Sequence, residues 1–365
     1  MAKSVCIADV CKEIFAGGDV PKSALSYEKT AEYNVPIFSN GEKNCGLYGY
    51  TNNARVKEPS ITVSARGTIG YTAIRTEPFV PVVRLITLTP KSEVIDLDYL
   101  FYATQNYKFE GSGTSIPQLT VPMLKKYKFP LPEISHQKAI AVKFEKLDQL
   151  ISLRKQQLAK LDELVKAQFV EMFGDPKDNR SNLVKIGEIG DLTSGGTPSR
   201  SNSEYFNGSI RWYSAGELNS LYLPDSIEHI SRTALSQSAA KLFEKGTLMI
   251  GMYDTAAFKM GILTEQSSSN QACANLKPTE QYSVIWLYYL FDIMKPIFLT
   301  ERQGVRQKNL SLSKIRNFNI PSAPLSLQNQ FAAFVERVDQ QKQTVQQSLE
   351  KLELMKKALM QEYFG

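Results

Sequence analysis

The segment FPLPEISHQKAIAVKFEKLDQL at residues 129–150 returns, with many substitutions, as IPSAPLSLQNQFAAFVERVDQQ at residues 320–341. In both copies prolines precede a stretch in which apolar residues recur every three or four positions, and this pattern predicts a turn that leads into a helix. The second copy begins 191 residues after the first, and at this offset Gln137 meets Gln328. A period this long indicates duplicated domains and not a stack of small repeats.

Each copy continues into a long amphipathic helix, which we predict at residues 133–174 and 325–365, with Ser135 and Ser326 as the N-terminal caps. Apolar residues alternate at intervals of four and three over about four heptads, which is typical of a coiled coil. The matching ends argue against core helices of two unrelated domains. The predicted seam residues are Ile140, Phe144, Leu147, Ile151, Leu158, Leu161 and Val165 in the first helix, and Phe331, Val335, Val338, Val345, Leu349, Leu352 and Leu359 in the second.

Polar residues interrupt each seam twice. Arg154 and Gln168 stand at seam positions of the first helix, and Lys342 and Lys356 stand at seam positions of the second. The interruptions fall at different positions of the repeat. The two helices are therefore able to pack on each other along most of their length.

The segments before the helices, residues 1–132 and 175–324, are predicted to be two globular domains. They share a weaker likeness, since IFAGGDVPKS aligns with LTSGGTPSRS, and ITVSARGTIGYTAI holds the same place as LMIGMYDTAAFKMGILT. Both later stretches show an apolar strand, a polar loop, a glycine and a second strand. Short strands mixed with a few helices predict the α+β class, in the order domain, helix, domain, helix.

The composition is that of a folded chain with room for two cores. It has 365 residues, 42% of them apolar, and a net charge of +6. This charge is compatible with nucleic-acid binding and does not demonstrate it. No stretch approaches the roughly 20 apolar residues of a membrane helix, and we expect a cytoplasmic protein.

The sequence offers no catalytic motif. AGGDVPKS lacks the glycine that a phosphate loop needs before Lys-Ser, because Pro21 stands there, and the common nucleotide, hydrolase and zinc-protease motifs are missing. Cys6, Cys11 and Cys45 could be read as zinc ligands, but no tight C-x-x-C pair accompanies them. We therefore predict no catalytic residue, metal or cofactor, and reduced thiols. The fourth cysteine is Cys273, and the two histidines, His136 and His229, are interpreted as turn or cap residues.

The chain resembles the specificity subunits of type I restriction-modification systems over nearly its whole length. The resemblance rests on the repeated turn and helix at residues 116–151 and 308–340, and on the landmarks SGGTPSR, IRWYSAGEL and VSARGTIG. It implies two target-recognition domains and two helices that pair as an antiparallel coiled coil with pseudo-two-fold symmetry. It also implies that each domain reads one half of a bipartite site in double-stranded DNA, with the helices as the spacer.

The same resemblance implies that the chain itself is not an enzyme. Two methyltransferase subunits, which bind S-adenosylmethionine, and restriction and translocase subunits would supply the chemistry. The chain is short for the family, and GMYDTAAFKMG replaces the usual arginine-glycine loop in the second domain. A type IIB-like specificity partner and a coiled-coil scaffold without a DNA role therefore remain alternatives.

The candidate DNA contacts lie in loops rich in Asn, Ser, Thr, Arg, Lys and Tyr, whose side chains can bond base edges and phosphates. By position in the resemblance, the candidates are Asn40, Asn52, Asn53, Arg55, Ser64, Arg66 and Thr68 in the first domain, and Thr197, Ser199, Arg200, Trp212, Tyr213, Tyr253, Lys259, Arg306 and Lys308 in the second.

Overall fold

The computed structural model describes residues 3–107, 109, 117–178, 182–302 and 309–365. It divides into two compact units. The first combines Met1–Lys155 with Gln346–Gly365, and the second is Gln156–Val345. Each unit therefore joins one globular domain to segments of both long helices, and each is described by itself. None of the helices in the described ranges is long and apolar enough to cross a membrane.

In the described part of the first unit, three short α-helices precede the first long helix, and the strands form three sheets. The elements are β1 (Lys3–Cys6), α1 (Ile7–Val10), β2 (Cys11–Ala16), β3 (Val35–Phe38), β4 (Leu47–Thr51), β5 (Ser60–Val63), β6 (Thr72–Arg75), β7 (Val80–Pro81), β8 (Ile86–Pro90), α2 (Leu97–Gln105), α3 (Val121–Lys125), β9 (Lys128–Leu131) and α4 (Ile134–Phe173). One sheet has the antiparallel order β2-β8-β5-β6, a second has the order β4-β3-β7 with β3 and β7 parallel, and the third is the pair of β1 and β9.

The second unit repeats this architecture strand for strand. Its sheets have the orders β11-β17-β14-β15 and β13-β12-β16, and β12 and β16 are parallel, as their counterparts are in the first unit. The predicted α+β repeat is thereby confirmed. The elements are β10 (Leu183–Lys185), β11 (Gly190–Ser194), β12 (Ile210–Tyr213), β13 (Glu228–Ile230), α5 (Arg232–Gln237), β14 (Leu248–Gly251), β15 (Met260–Ile262), β16 (Ser268–Ser269), β17 (Cys273–Pro278), α6 (Val284–Thr300), α7 (Leu312–Asn317), β18 (Asn319–Pro321) and α8 (Leu325–Phe364).

In both units, the strand that opens the domain pairs with the strand that closes it. In the first unit β1 runs antiparallel to β9, with Lys3 opposite Leu131. In the second unit β10 runs antiparallel to β18, with Leu183 opposite Pro321. Each domain thus begins and ends at one place, next to the start of a long helix.

The long helices contribute aromatic residues to the domain cores. In the first unit, the ring of Phe144 on α4 lies 4.9 Å from that of Tyr102 and 5.8 Å from that of Phe364 on α8. In the second unit, the ring of Phe169 on α4 lies 5.3 Å from that of Phe331 on α8. Burying such side chains stabilises each unit by roughly 1.5–3 kcal/mol apiece.

These contacts establish the direction of the helix pair. In the first unit the early part of α4 meets the end of α8, and in the second unit the end of α4 meets the early part of α8. The segments are therefore antiparallel in both units, which confirms the coiled coil. Nine seam residues are buried, and five are partly buried: Ile151, Leu158, Leu161, Leu352 and Leu359.

Two of the polar seam residues form ion pairs with carboxylates of the opposite helix. In the first unit the Lys356 ammonium donates to Asp148 at 2.5 Å, and Asp148 also accepts from the Tyr102 hydroxyl at 3.2 Å. In the second unit Lys342 pairs with Asp162. These two ion pairs, together with the pair of Lys155 and Glu353 at 2.9 Å, join the helices in addition to the apolar contacts of the seam.

The helix starts differ from the predicted caps. Because α4 begins at Ile134 and α8 begins at Leu325, Ser135 and Ser326 lie inside the first turn and are not N-caps. The backbone itself closes the turn of α4, since Gln137 N donates to Glu133 O at 3.0 Å. The cap prediction was therefore wrong by about two residues, a common error at helix ends.

The repeated glutamine links each domain to its long helix. Gln137 is 1% exposed, and its Oε1 accepts from Asp96 N at 2.8 Å while its Nε2 donates to Val94 O and Pro132 O. Asp96 is the N-cap residue of α2, so the amide fixes the beginning of that helix.

The second unit contains the same arrangement. Gln328 is buried, its Oε1 accepts from Ser283 N at 2.9 Å, and its Nε2 donates to Ala323 O at 2.8 Å. Ser283 is the N-cap residue of α6, the counterpart of α2. The match of Gln137 and Gln328 in the sequence therefore has a structural cause: both residues attach a domain helix to the long helix.

Candidate nucleic-acid interface

In the first unit, three loops meet beyond the ends of the strands. The amide of Asn40, after β3, donates to Val83 O at 2.5 Å and accepts from Ala65 N at 2.7 Å. Ser64, directly after β5, is 0% exposed, and its hydroxyl accepts from Gly41 N at 3.0 Å. The side chains of Asn40 and Ser64 thus bond other loops, so the geometry gives them a positioning role.

The turn after β5 presents Arg66 and Thr68 to solvent. The Arg66 guanidinium donates from Nε and Nη2 to the Gln118 amide oxygen at 3.0 and 2.6 Å. Gly67 adopts a left-handed φ of +68°, and a Cβ there would meet nothing within 4 Å. A guanidinium has five N–H donors, so most of those of Arg66 face outward. This turn can present a fixed cation to a phosphate or a guanine edge.

Two further arginines belong to the same group of loops. Arg55 is exposed and stacks over the Phe15 ring at 4.3 Å. Arg84 is exposed, has a left-handed φ of 66°, and follows Val83, the partner of Asn40. Among the described residues no carboxylate pairs with either arginine. Sequence reasoning missed Arg84, whose only signal is a basic residue between two apolar strands.

Asn52 and Asn53 lie elsewhere. They follow β4, whose first residue, Leu47, pairs with Phe38 and whose last residue, Thr51, pairs with Val35. Asn52 and Asn53 therefore lie at one end of β4, and Asn40 and Arg66 lie near its other end. Both asparagines are exposed.

In the second unit, the loop after β11 carries Thr197, Ser199 and Arg200. The Arg200 guanidinium donates to both oxygens of Glu228, at 2.5 and 2.8 Å, and lies over the Trp212 ring at 5.3 Å. Hydrogen bonding to Arg200 holds the pKa of the Glu228 carboxyl below its usual range. Thr197 bonds the Gln271 side chain, and Ser199 is exposed beside Ser201.

Two candidates of the second domain are packing residues in this structure. Trp212 is 2% exposed, and its Nε1 donates to Gly196 O at 3.0 Å. Tyr213 is equally buried, and its hydroxyl donates to Pro224 O at 2.6 Å. Trp212 thereby supports the loop that carries Thr197 and Arg200, but its ring does not form part of the accessible surface.

The turn after β14 is the counterpart of the Arg66 turn, but it carries different side chains. Met252 O accepts from Leu310 N at 2.8 Å, just as Ala65 O accepts from Leu119 N at 2.9 Å in the first unit. This turn presents Tyr253, which is 39% exposed, and Lys259, whose ammonium reaches Gly216 O at 3.5 Å. The last two candidates, Arg306 and Lys308, lie outside the described residues.

The part of the chain that is described holds no group of three or more His, Cys, Asp or Glu side chains that could bind a metal ion. Burial raises the pKa of the Cys11 and Cys273 thiols to about 12. At neutral pH both are protonated, and neither is an activated nucleophile. The exposed candidate side chains of these loops, such as Arg66, Thr68 and Ser199, offer hydrogen-bond donors, acceptors and cations, which suit recognition.

Comparison with known proteins agrees with this geometry. A sequence model of the family described as type I restriction modification DNA specificity domain matches residues 2–163 and 179–354. Two proteins of Mycoplasma pneumoniae assigned as type I specificity subunits are similar. One is 38% identical over 141 residues, which cover 39% of this chain and 38% of the relative. The other is 39% identical over 135 residues, covering 37% and 40%. The aligned segment thus spans well under half of each relative.

The fold has a solved counterpart. The crystal structure of the S subunit of a type I restriction-modification system from M. genitalium superposes with a TM-score of 0.63 at 17% identity. The superposition covers 100% of this chain and 96% of that one. The likeness therefore extends over both units and the long helices.

Proposed function

Because this chain belongs to the family of type I restriction modification DNA specificity domains, we propose that it selects the DNA site of a restriction-modification complex. In this proposal each globular domain reads one half of a bipartite site in double-stranded DNA. One observation carries the proposal: the two domains have the same strand order but present loops of different chemistry. A repeated framework with unlike loops suits two half-sites of unlike sequence.

In the first domain, the cationic loops supply the contacts. Arg66 is held by Gln118 and exposed, so it can donate bidentately to a guanine edge, while Arg55 and Arg84 suit phosphates. Thr68 stands in the same turn as Arg66. Asn52 and Asn53 remain candidates at the other end of β4.

In the second domain, the contacts come from the loop after β11 and the turn after β14. Stacking and the Glu228 pair fix the plane of the Arg200 guanidinium, which lowers the entropy that it would lose on contacting a base. The other proposed contacts are Thr197, Ser199, Tyr253, Lys259, Arg306 and Lys308.

The coiled coil acts as the spacer, and partner subunits supply the chemistry. We assign the methyl transfer to two methyltransferase subunits, which bind S-adenosylmethionine and flip the target base, and DNA cleavage to restriction and translocase subunits. This chain then positions those partners on the site and has no catalytic role of its own.

A genome-wide methylation map tests the proposal. The chain is expressed with and without the methyltransferase encoded beside it. We expect a new motif of two short specified blocks around a fixed gap, present only when both proteins are expressed. A soluble complex that gives no modified motif would overturn the DNA-reading role and favour a scaffold.

A further inference from the structure

Residues 39–46, here called the Asn44 loop, have a strained backbone. Asn44 and Cys45 both adopt a left-handed φ of 51°, and Gly46 follows at +76°. A Cβ at Gly46 would lie 2.6 Å from Ser39 O, so only glycine fits there. Consecutive left-handed residues are unfavourable for side chains other than glycine, and they persist where the surroundings hold them.

Arg75 is the group that holds this backbone. Its guanidinium donates from Nη2 to Cys45 O at 2.7 Å and from Nε to Thr62 Oγ1 at 3.1 Å, and it stacks on the Phe38 ring at 3.6 Å. The residue is only 8% exposed, and no carboxylate of the described chain pairs with it. Burying a cation without an anionic partner is unfavourable. The domain thus keeps a costly buried charge at the position that fixes the loop.

The loop exposes polar side chains beside the Arg66 turn. Lys43 and Asn44 are exposed, and their side chains make no hydrogen bond to the described residues. At its base, Gly41 N donates to the hydroxyl of Ser64, two residues before Arg66. The Asn44 loop and the Arg66 turn therefore belong to one surface.

The second domain has a different loop at the same place on the same framework. After β12, Glu217 turns inward, and its carboxylate accepts from Ser214 N at 2.8 Å and from Ile227 N at 2.8 Å. The connection between β12 and β13, residues 214–227, is longer than the Asn44 loop, and the Glu217 carboxylate ties its two ends together. The framework repeats, but this loop does not.

We propose that the Asn44 loop is a preformed reading element for the first half-site, in which Asn44 contacts a base edge and Lys43 a phosphate. Arg75 is a positioning residue that holds the loop in its reading conformation. This inference rests on the proposed function. An asparagine amide can bond adenine bidentately through N6 and N7, so we expect one specified adenine of the half-site to depend on Asn44.

The test uses the full chain in complex with its methyltransferase and duplexes that carry the methylated motif or single-base variants. Asn44→Asp keeps the size and the tolerance of left-handed φ but removes the amide donors. We expect it to lose roughly tenfold or more of the discrimination at one adenine of one half-site. The other half-site serves as an internal control. Gln105→Glu makes the same change from amide to carboxylate at an exposed position of α2, away from the proposed contact residues, and should change nothing.

Unchanged discrimination at every position of the first half-site in Asn44→Asp would overturn the inference, and so would an equal loss in Gln105→Glu. The proposed function would survive both outcomes, because the motif would still be bipartite. A missing motif in the unsubstituted complex would instead remove the proposed function itself.

A double-variant cycle tests the role of Arg75. Arg75→Lys keeps the positive charge but removes the guanidinium, whose N–H groups bond Cys45 O and Thr62 Oγ1 at the same time. If Arg75 acts through the loop, this variant loses discrimination at the same adenine, and adding it to Asn44→Asp causes no further loss there. Additive losses, or a loss spread over both half-sites, would show a general structural role and overturn the positioning assignment.

Discussion

The guanidinium of Arg66 is fixed before any DNA arrives, because the amide oxygen of Gln118 accepts two of its donors. We expect Arg66→Ala to weaken binding of one half-site by about 1–3 kcal/mol and to relax its sequence at one position. Competition binding with single-base variants measures both effects. The second half-site should be unaffected. An unchanged motif and affinity would remove Arg66 from the interface.

A substitution of Gln137 tests whether this side chain attaches the first domain to its long helix. Gln137→Leu would leave Asp96 N and two carbonyl oxygens without partners in a buried place, so we expect the free energy of unfolding to fall by about 2–3 kcal/mol. Urea denaturation measures this change. Gln149→Leu is the matched control on the same helix, because Gln149 is exposed and bonds only Glu145. Equal losses in the two variants would contradict the role of Gln137.

At the level of single residues, local patterns place side chains in loops but do not show which of them are exposed. Ser64 and Trp212 were selected as contacts, yet both are buried. Their side chains bond backbone groups that lie 23 and 16 residues away in the sequence. Arg75 looks like any basic residue at a strand end, and only the fold brings it beneath Cys45. Burial of loop residues depends on such long-range contacts, which local patterns do not reveal. Arg84, Lys43 and Asn44 were not among the sequence candidates, because the sequence does not show that their loops share one surface with the Arg66 turn.

At the level of elements, the ion pairs between the long helices define their register. Asp148 with Lys356 and Asp162 with Lys342 are each spaced by 14 residues along their helices, in opposite directions. A slip by one turn would separate both pairs. Charged residues within a coiled-coil seam commonly specify register in this way.

Reversing one of these charges should therefore destabilise the helix pair. We expect Asp148→Lys to lower the free energy of unfolding by about 1 kcal/mol, since the pair is partly exposed and Lys356 would face a like charge. Adding Lys356→Asp should restore most of the loss in urea denaturation. A double variant that is no more stable than Asp148→Lys would argue against a specific pair.

The long helices were predictable because a repeated heptad pattern is a local signal. The order of the strands was not predictable. Strand β8 pairs with β2, which begins 75 residues earlier, and neither strand carries a local sequence signal that identifies its partner. The prolines and glycines of the loops predict turns but not which strands become neighbours.

For the whole molecule, the spacer role of the helices predicts that the length of the gap in the motif can change while the half-site sequences stay the same. Inserting one heptad into each long helix, after Lys155 and after Val345, keeps the seam in phase and both domains intact. We expect the methylated motif to keep its two half-sites and to change only the length of its unspecified gap. The methylation map checks this directly. Altered half-site sequences with an unchanged gap would refute the spacer role.

Each domain begins and ends on two adjacent antiparallel strands, with Lys3 opposite Leu131 and Leu183 opposite Pro321. A genetic crossover whose breakpoints fall within such a strand pair replaces a whole domain and leaves the helices, their register and the glutamine of each helix in place. The new domain must then supply a short strand pair, a helix start for that glutamine, and a core surface that packs against the aromatic residues of the long helices. Under the proposed function, such an exchange replaces one half-site of the motif while the helices and the other domain stay as they are.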